Sequence, residues 1–268
     1  MNREKKVKYN LDLFLQLNEE YKDKPIVRKP RSLLSKPRLE AAKGRASRLN
    51  SMLGVDSSQR VLEIGCGRGD LCYVLAKEYQ CESIGVDVKK YKEWEEYNEE
   101  KLNLLAFDVT EQDYSALGKF DRIHSWAVWE HIKHPFSALK AVKDLLQEDG
   151  KVYVSANLYR GPKASHRYRE VYFPWPHLLF TDDIFEEFYQ YIGKPPAKPA
   201  WVNKLTYAQY KLYFDFVYLS IEQEWLTSSK FDEDFYNRFE DVLSRYPKFD
   251  LTHDFINVIL SHKTPKKE

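Results

Sequence analysis

The sequence predicts an α/β protein built on a doubly wound, mostly parallel sheet with helices on both faces. Two observations carry that reading. Val61-Leu62-Glu63-Ile64 is a short apolar run, Gly65 to Asp70 is a glycine-rich turn, and Leu71 to Tyr79 has a helical pattern. This is the strand–turn–helix grammar of a parallel sheet. From Arg60 to Asn157, further apolar runs alternate with helical stretches, a rhythm that covers a sheet on both sides.

The elements follow in order. Asn10 to Tyr21 places Leu11, Phe14, Leu15 and Leu17 at helical spacing. Pro25, Pro30 and Pro37 hold an extended basic connector, because each proline disfavours a helical residue before it. Pro37 to Leu53 is expected as a helix entered through Ser35 and closed by Gly54. After Asn157 the pattern changes: residues 160–240 hold 21 of the 40 aromatics, broken by Pro174-Trp175-Pro176 and by the proline-rich stretch Lys194 to Pro199. Asp182 to Tyr191 is expected as a helix capped by Thr181, with Asp182 and Asp183 in its first turn, and Tyr207 to Leu226 as a longer helix. Phe255 to Leu260 has the apolar character of a final strand. The expected partition is a helical and basic extension over 1–54, a core over 55–157, an aromatic, mainly helical lid insertion over 158–245, and a last strand with a basic tail over 246–268.

Charge and composition narrow the function. At 268 residues the chain can bury roughly three quarters of its unfolded surface, enough for a substantial core. A formal charge of +1 argues against a general polyanion binder. The charge is uneven: Lys22 to Arg48 carries ten basic and two acidic residues, Asp182 to Asp241 six basic and twelve acidic. No stretch of about 18 apolar residues exists to span a membrane, and the charged Met1 to Asn10 does not suit a signal peptide. Cys66, Cys72 and Cys81 fit neither a disulfide framework nor a zinc pattern and point to a reducing cytoplasm.

The glycine turn discriminates among nucleotide-like ligands. Dinucleotide-binding turns read G-x-G-x-x-G and seat pyrophosphate on the helix N-terminus. Here the spacing is G-x-G-x-G, and Asp70 stands where the third glycine would be. A carboxylate there suits the helix dipole but repels pyrophosphate, which ranks an NAD enzyme last. A phosphate-free ligand with a cationic centre, such as S-adenosylmethionine, is better tolerated.

With these residues the chain resembles the class I SAM-dependent methyltransferase family over about ninety residues. The glycine turn is similar to the family's first motif, with Glu63 at its acidic position. Ser83 to Val88 resembles the second strand, Leu104 to Val109 the third, Phe120 to Ser125 the fourth, and Asp149 to Val154 the turn into the fifth. Trp126 to Pro135, with Trp129-Glu130-His131-Ile132, resembles the segment facing the methyl group. The resemblance implies a Rossmann-like, seven-stranded sheet whose last strand returns antiparallel, and S-adenosylmethionine as cofactor.

It also implies the site. Glu63, Gly65, Cys66, Gly67 and Gly69 would seat the methionine end, with backbone amides meeting its carboxylate. Asp87, followed by Val88, would grip the ribose hydroxyls, and Asp108 with Val109 would meet the adenine. Ser125 and Trp126 would complete the cofactor wall. His131, which titrates near neutrality, is the candidate catalytic residue, as a base or an orienting group. Glu130, His166 and Tyr168 are the candidate substrate contacts. Glu130, His131 and His134 lie within one turn, but that pattern is too unspecific to predict a metal.

The expected activity is methyl transfer to a small-molecule acceptor, a hydroxyl of a sugar, glycan or secondary metabolite. Nucleic acid is an unlikely partner on charge, no membrane partner is expected, and oligomeric state stays open. Two alternatives remain: an RNA or protein methyltransferase using the basic 22–48 segment, and a non-catalytic subunit that binds a partner through its aromatic, acidic C-terminal half.

Overall fold

A computed structural model describes residues 8–26, 38–167, 169–198 and 201–263. The helices and strands are, in chain order, α1 (Leu11–Glu20), α2 (Arg38–Leu53), β1 (Arg60–Ile64), α3 (Asp70–Val74, continued by a π-helical turn Leu75–Tyr79), β2 (Glu82–Asp87), β3 (Leu102–Ala106), β4 (Phe120–Trp126), α4 (Pro135–Leu145) and β5 (Leu146–Asn157). They continue with α5 (Pro176–Leu179), α6 (Asp182–Tyr191), α7 (Tyr207–Phe216), β6 (Leu219–Ser228), α8 (Glu233–Arg238), α9 (Glu240–Leu243), α10 (Lys248–Thr252) and β7 (His253–His262). Ser35, Pro30, Pro37, Pro199, most of the basic connector and the basic tail beyond Lys263 lie outside the described residues.

The chain divides into two compact units. One comprises Pro30–Asn157, Tyr207–Leu226 and Ile256–Glu268; the other comprises Met1–Lys29, Leu158–Thr206 and Thr227–Phe255. The seven strands are ordered β3-β2-β1-β4-β5-β7-β6, and the pairs β1–β2, β1–β4, β2–β3 and β4–β5 are parallel. β7 is antiparallel to β5: the Leu158 amide donates to the Asp254 carbonyl at one end, and His262 Nε2 meets the Leu146 carbonyl at the other. Strand order reverses between β1 and β4, so a crevice opens beyond the carboxyl end of β1, where open α/β sheets bind ligands.

Packing follows the sequence pattern. Ala42, Ala46, Leu49 and Leu53 recur on one face of α2 and bury with Leu71, Val74 and Leu75 against Val61, Tyr153 and Ile259. On α4, Ala138, Leu139, Ala141, Val142 and Leu145 form the buried stripe. Gly54 closes α2 at φ +64, and its amide bonds the Asn50 carbonyl.

The second unit has an aromatic core. Phe14 of α1 lies within 5.5 Å, centroid to centroid, of Phe173, Phe180, Phe185 and Phe188. Asn10 caps α1 through its side-chain oxygen and the Leu13 amide. Thr181 precedes α6 in an extended conformation, but its side chain makes no cap bond.

One expected element is corrected. The long helix over Tyr207 to Leu226 ends at Phe216, and β6 begins at Leu219. Tyr218 stands between them at φ +61, which stops the helix. Beyond it Glu222 pairs with Lys151 at 2.9 Å, and the Trp225 ring stacks on Tyr153.

Candidate active site

The carboxyl ends of β1, β2, β3 and β4 bring most of the sequence-predicted residues together. Glu63 pairs with Gly85 and His124 in register, and Ile64 with Val86, so Asp87 comes level with the glycine turn. At Gly65 the backbone takes φ +75, and a Cβ would meet Val128 Cγ2 at 2.5 Å; only glycine lets this turn close on the segment after β4. Gly67 has φ +53 and open space where a Cβ would stand, leaving bare main chain exposed to a ligand. Gly69 is used differently: a Cβ there would strike Leu104 Cδ1 at 2.5 Å, so its place is in packing under the turn.

A cleft of about 590 Å³ runs along this edge, walled by Ile64, Gly65, Asp87, Val88, Tyr91, Asp108, Val109, Val128 and His131, among others. A second cavity of about 220 Å³ lies on the other side of the turn, walled by Arg45, Glu63, Gly65, Cys66, Gly67, Arg68, Asp70, Leu71 and Trp126. Gly65 belongs to both walls. Val88 forms the lip of the cleft at 73% exposure, whereas Val109 is buried.

The Asp87 carboxylate accepts from the Gly67 amide through Oδ2 and from the Lys89 amide through Oδ1, each at 3.0 Å. A carboxylate has about four lone-pair sites, so both oxygens keep capacity for vicinal hydroxyls. Asp108 Oδ1 closes its own turn, accepting from the Thr110 amide at 2.8 Å and the Thr110 hydroxyl at 2.7 Å; Oδ2 makes neither bond.

The expectation that turn amides receive a methionine carboxylate meets a competing use. Gly65 and Cys66 donate to the Val86 carbonyl, Gly67 to Asp87, and Gly69 to the Cys66 carbonyl. Two cations stand on the wall of the smaller cavity: Arg68, which pairs with Glu93 at 3.2 Å, and Arg45 of α2, which sequence reasoning passed over within a basic stretch. Trp94 was also missed; its indole N–H donates to the Gly67 carbonyl at 2.8 Å and braces the turn. No spacing rule points to either residue, because both reach the turn from other segments.

Glu63 is 5% exposed, and burial pushes its carboxyl up to about 8, opposed by the Cys72 thiol at 3.0 Å and by the positive charge of Arg45. The acid is therefore largely protonated at neutral pH. Ser125 is buried at the end of β4, and Trp126 lines the smaller cavity with the Arg48 guanidinium over its ring. Ala127 then takes φ +52 with its amide bonded to the Ser155 carbonyl, a strained non-glycine residue beside the cleft.

His131 closes a short 3₁₀ turn, Trp129–His131, and stands exposed on the cleft wall with its amide on the Val128 carbonyl. Glu130 is 2% exposed, and desolvation raises its carboxyl above the ordinary range. His166 belongs to the other compact unit, half-buried at φ +57. Tyr168 lies outside the described residues.

These features fit an adenosyl cofactor with an amino-acid end: acidic strand ends with spare acceptor capacity, an apolar cleft, exposed main chain and a cationic second cavity. A model of the methyltransferase-domain family matches residues 25–191. The chain belongs to the class I SAM-dependent methyltransferases. The cofactor of this family is S-adenosylmethionine, which supplies an electrophilic methyl group on a sulfonium.

Among its relatives, the ubiquinone biosynthesis O-methyltransferase of Glaesserella parasuis is 28% identical over 54% of this chain and 74% of its own length. The Escherichia coli cyclopropane-fatty-acyl-phospholipid synthase is 35% identical over 30% of this chain, and the (S)-coclaurine N-methyltransferase of Papaver somniferum 29% over 37%. The chain spans only 21% and 30% of those two proteins.

Solved structures share the fold. A coclaurine N-methyltransferase bound to N-methylheliamine and SAH matches with a TM-score of 0.55 at 17% identity, over 95% of this chain and 83% of that one. A methyltransferase from Listeria monocytogenes matches with a TM-score of 0.53 at 14% identity, over 83% of this chain and all of that one.

Proposed function

We propose that this methyltransferase transfers the methyl group of S-adenosylmethionine to a small-molecule acceptor at a hydroxyl, as on a sugar, a glycan or a secondary metabolite. The observation that carries the reading is the pair of cavities meeting at Gly65, one walled by Asp87, Asp108 and apolar residues, the other by Arg45. In that arrangement Asp87 holds the ribose hydroxyls, the apolar walls at Val88, Val109 and Ile132 flank the adenine, and Arg45 meets the methionine carboxylate. Relatives named for O- and N-methylation of small molecules support the acceptor class.

Methyl transfer from a sulfonium is an in-line displacement, and holding the reacting atoms in near-attack geometry supplies several kcal/mol by itself. His131, on the cleft wall, is the residue assigned to orient the acceptor hydroxyl or to take its proton. Among the described residues no helix is long and apolar enough to cross a membrane.

Isothermal titration with S-adenosylhomocysteine tests the cofactor site: binding by the full chain and its weakening in Asp87→Ala are expected. Failure of the wild-type chain to bind would overturn the reading. A metabolite extract incubated with methyl-labelled cofactor tests the acceptor, and label found only in RNA or protein would refute a small molecule.

A further inference from the structure

Beneath the glycine turn the fold brings together two thiols whose sulfurs no step of the proposed reaction uses. Cys66 lies in the turn and Cys72 on α3, and both are free thiols. They form one small buried cluster with the Trp94 ring. Gly85 of β2 allows the pair to meet: a Cβ there would stand 2.8 Å from Cys72 Sγ and 2.9 Å from Cys66 Cβ. The Cys72 thiol donates to Glu63 Oε2 at 3.0 Å, and burial, the Cys66 thiol and Glu63 together keep it protonated.

The sulfurs differ in access. Cys66 is 8% exposed and stands on the wall of the smaller cavity, whose volume of about 220 Å³ admits a small peroxide. Cys72 is fully buried. Cys81 is also fully buried, bonds the Leu75 carbonyl at 3.5 Å and lines neither cavity.

We propose that Cys66 and Cys72 are an oxidisable dithiol, closed to a disulfide by a peroxide that enters through the smaller cavity. The Cys66 thiolate displaces hydroxide from hydrogen peroxide and becomes a sulfenic acid; the hydroxide leaves as water with the thiol's proton. Cys72 passes its proton to the ionised fraction of Glu63, and its thiolate attacks the Cys66 sulfur. The S–S bond forms, and the departing hydroxide recovers that proton from Glu63 as water. Two thiols lose two electrons, and one peroxide becomes two waters.

The bond would act on the turn. Sulfurs in a disulfide sit closer than thiols in contact, so closure draws Cys66 towards α3. Cys66 holds the turn on both sides, its amide on the Val86 carbonyl and its carbonyl on the Gly69 amide. Gly67, next in the chain, donates to Asp87. Closure is therefore a brake on cofactor binding, and bound cofactor shields Cys66 in return. The brake rests on the methyltransferase reading; the dithiol itself does not.

The test treats the full chain with hydrogen peroxide, blocks the remaining thiols and digests it with trypsin without reduction. Trypsin cuts after Arg68, so the bond is read as peptide 61–68 joined to peptide 69–77, lighter than the pair by two hydrogens. A thiol reductant should separate them, and Cys81, in peptide 78–89, should stay a thiol. Saturating S-adenosylhomocysteine should slow the linkage at least about ten-fold, because little of the open turn remains. The oxidised chain should bind S-adenosylhomocysteine about ten-fold more weakly, the scale of one disturbed charge-assisted hydrogen bond, and reduction should restore it. Cys72→Ser should abolish the link and leave Cys66 to react with dimedone; should that variant fail to fold, the wild-type link decides alone.

Cys66 and Cys72 recovered unlinked, as thiols or as separate sulfinic acids, overturn the dithiol, as does a link to Cys81. A link formed with unchanged S-adenosylhomocysteine affinity overturns the brake. A reduced wild-type chain that binds no S-adenosylhomocysteine sinks the methyltransferase reading instead, and the linked peptides still judge the dithiol.

Discussion

The Gly67 amide donates to the Asp87 carboxylate across 3.0 Å, so the turn after β1 and the edge of β2 form one hydrogen-bonded unit. Asp87→Ala removes the expected ribose acceptor and releases the turn together. Hydrogen bonds to charged groups contribute about 1.5–3 kcal/mol, so S-adenosylhomocysteine should bind roughly 10–100-fold more weakly. Calorimetry checks this; unchanged affinity would remove Asp87 from the site.

Arg45→Met separates the two ends of the cofactor. Losing its guanidinium from the smaller cavity should weaken S-adenosylhomocysteine by about ten-fold, a typical cost for a charge-assisted contact. 5′-Methylthioadenosine, which lacks the amino-acid end, should bind as before. Parallel weakening of both ligands would show that Arg45 acts on the fold and not on the carboxylate.

Glu63 links stability to pH. Its carboxyl rises from an ordinary 4.5 to about 8, so between those values the folded chain holds a proton that the unfolded chain releases. Stability contributed by this group therefore falls as pH rises from about 4.5 towards 8 and levels off above. Glu63→Gln, neutral and nearly isosteric, should flatten that segment of a denaturant-midpoint profile. A variant profile parallel to wild type would contradict the buried, protonated acid.

Phe14→Ala tests the aromatic core. The ring is fully buried against Phe173, Phe180, Phe185 and Phe188, and deleting such a side chain costs about 3–5 kcal/mol. Chemical denaturation should show that loss. A cost below about 1 kcal/mol would mean that α1 is only loosely attached to this unit.

The sheet was legible because each parallel strand is an apolar run followed at once by a turn or an acid, as at Ile64-Gly65 and Val86-Asp87. Register then carried those ends to one edge. The boundary near Tyr218 was not legible: aromatics recur through Tyr207 to Leu226 at spacings that suit either a helix or a strand. A left-handed residue fixed by tertiary context decided between them. The membership of α1 in the aromatic core was hidden for a related reason, since Phe14 meets partners more than 150 residues away. On the cleft wall, Asp87 and Asp108 were legible as acids at strand ends. Arg45 and Trp94 were not, because their relevance arises only when helix α2 and the segment after β2 fold against the turn.

β7 lies between β5 and β6 in the sheet yet follows both in the chain. During synthesis, the flank of β5 and all of β6 must wait with raw amides and carbonyls until residues 253–262 emerge. A polypeptide interrupted before that point would present two adhesive borders to its neighbours, making premature termination a route to aggregation as well as to lost activity.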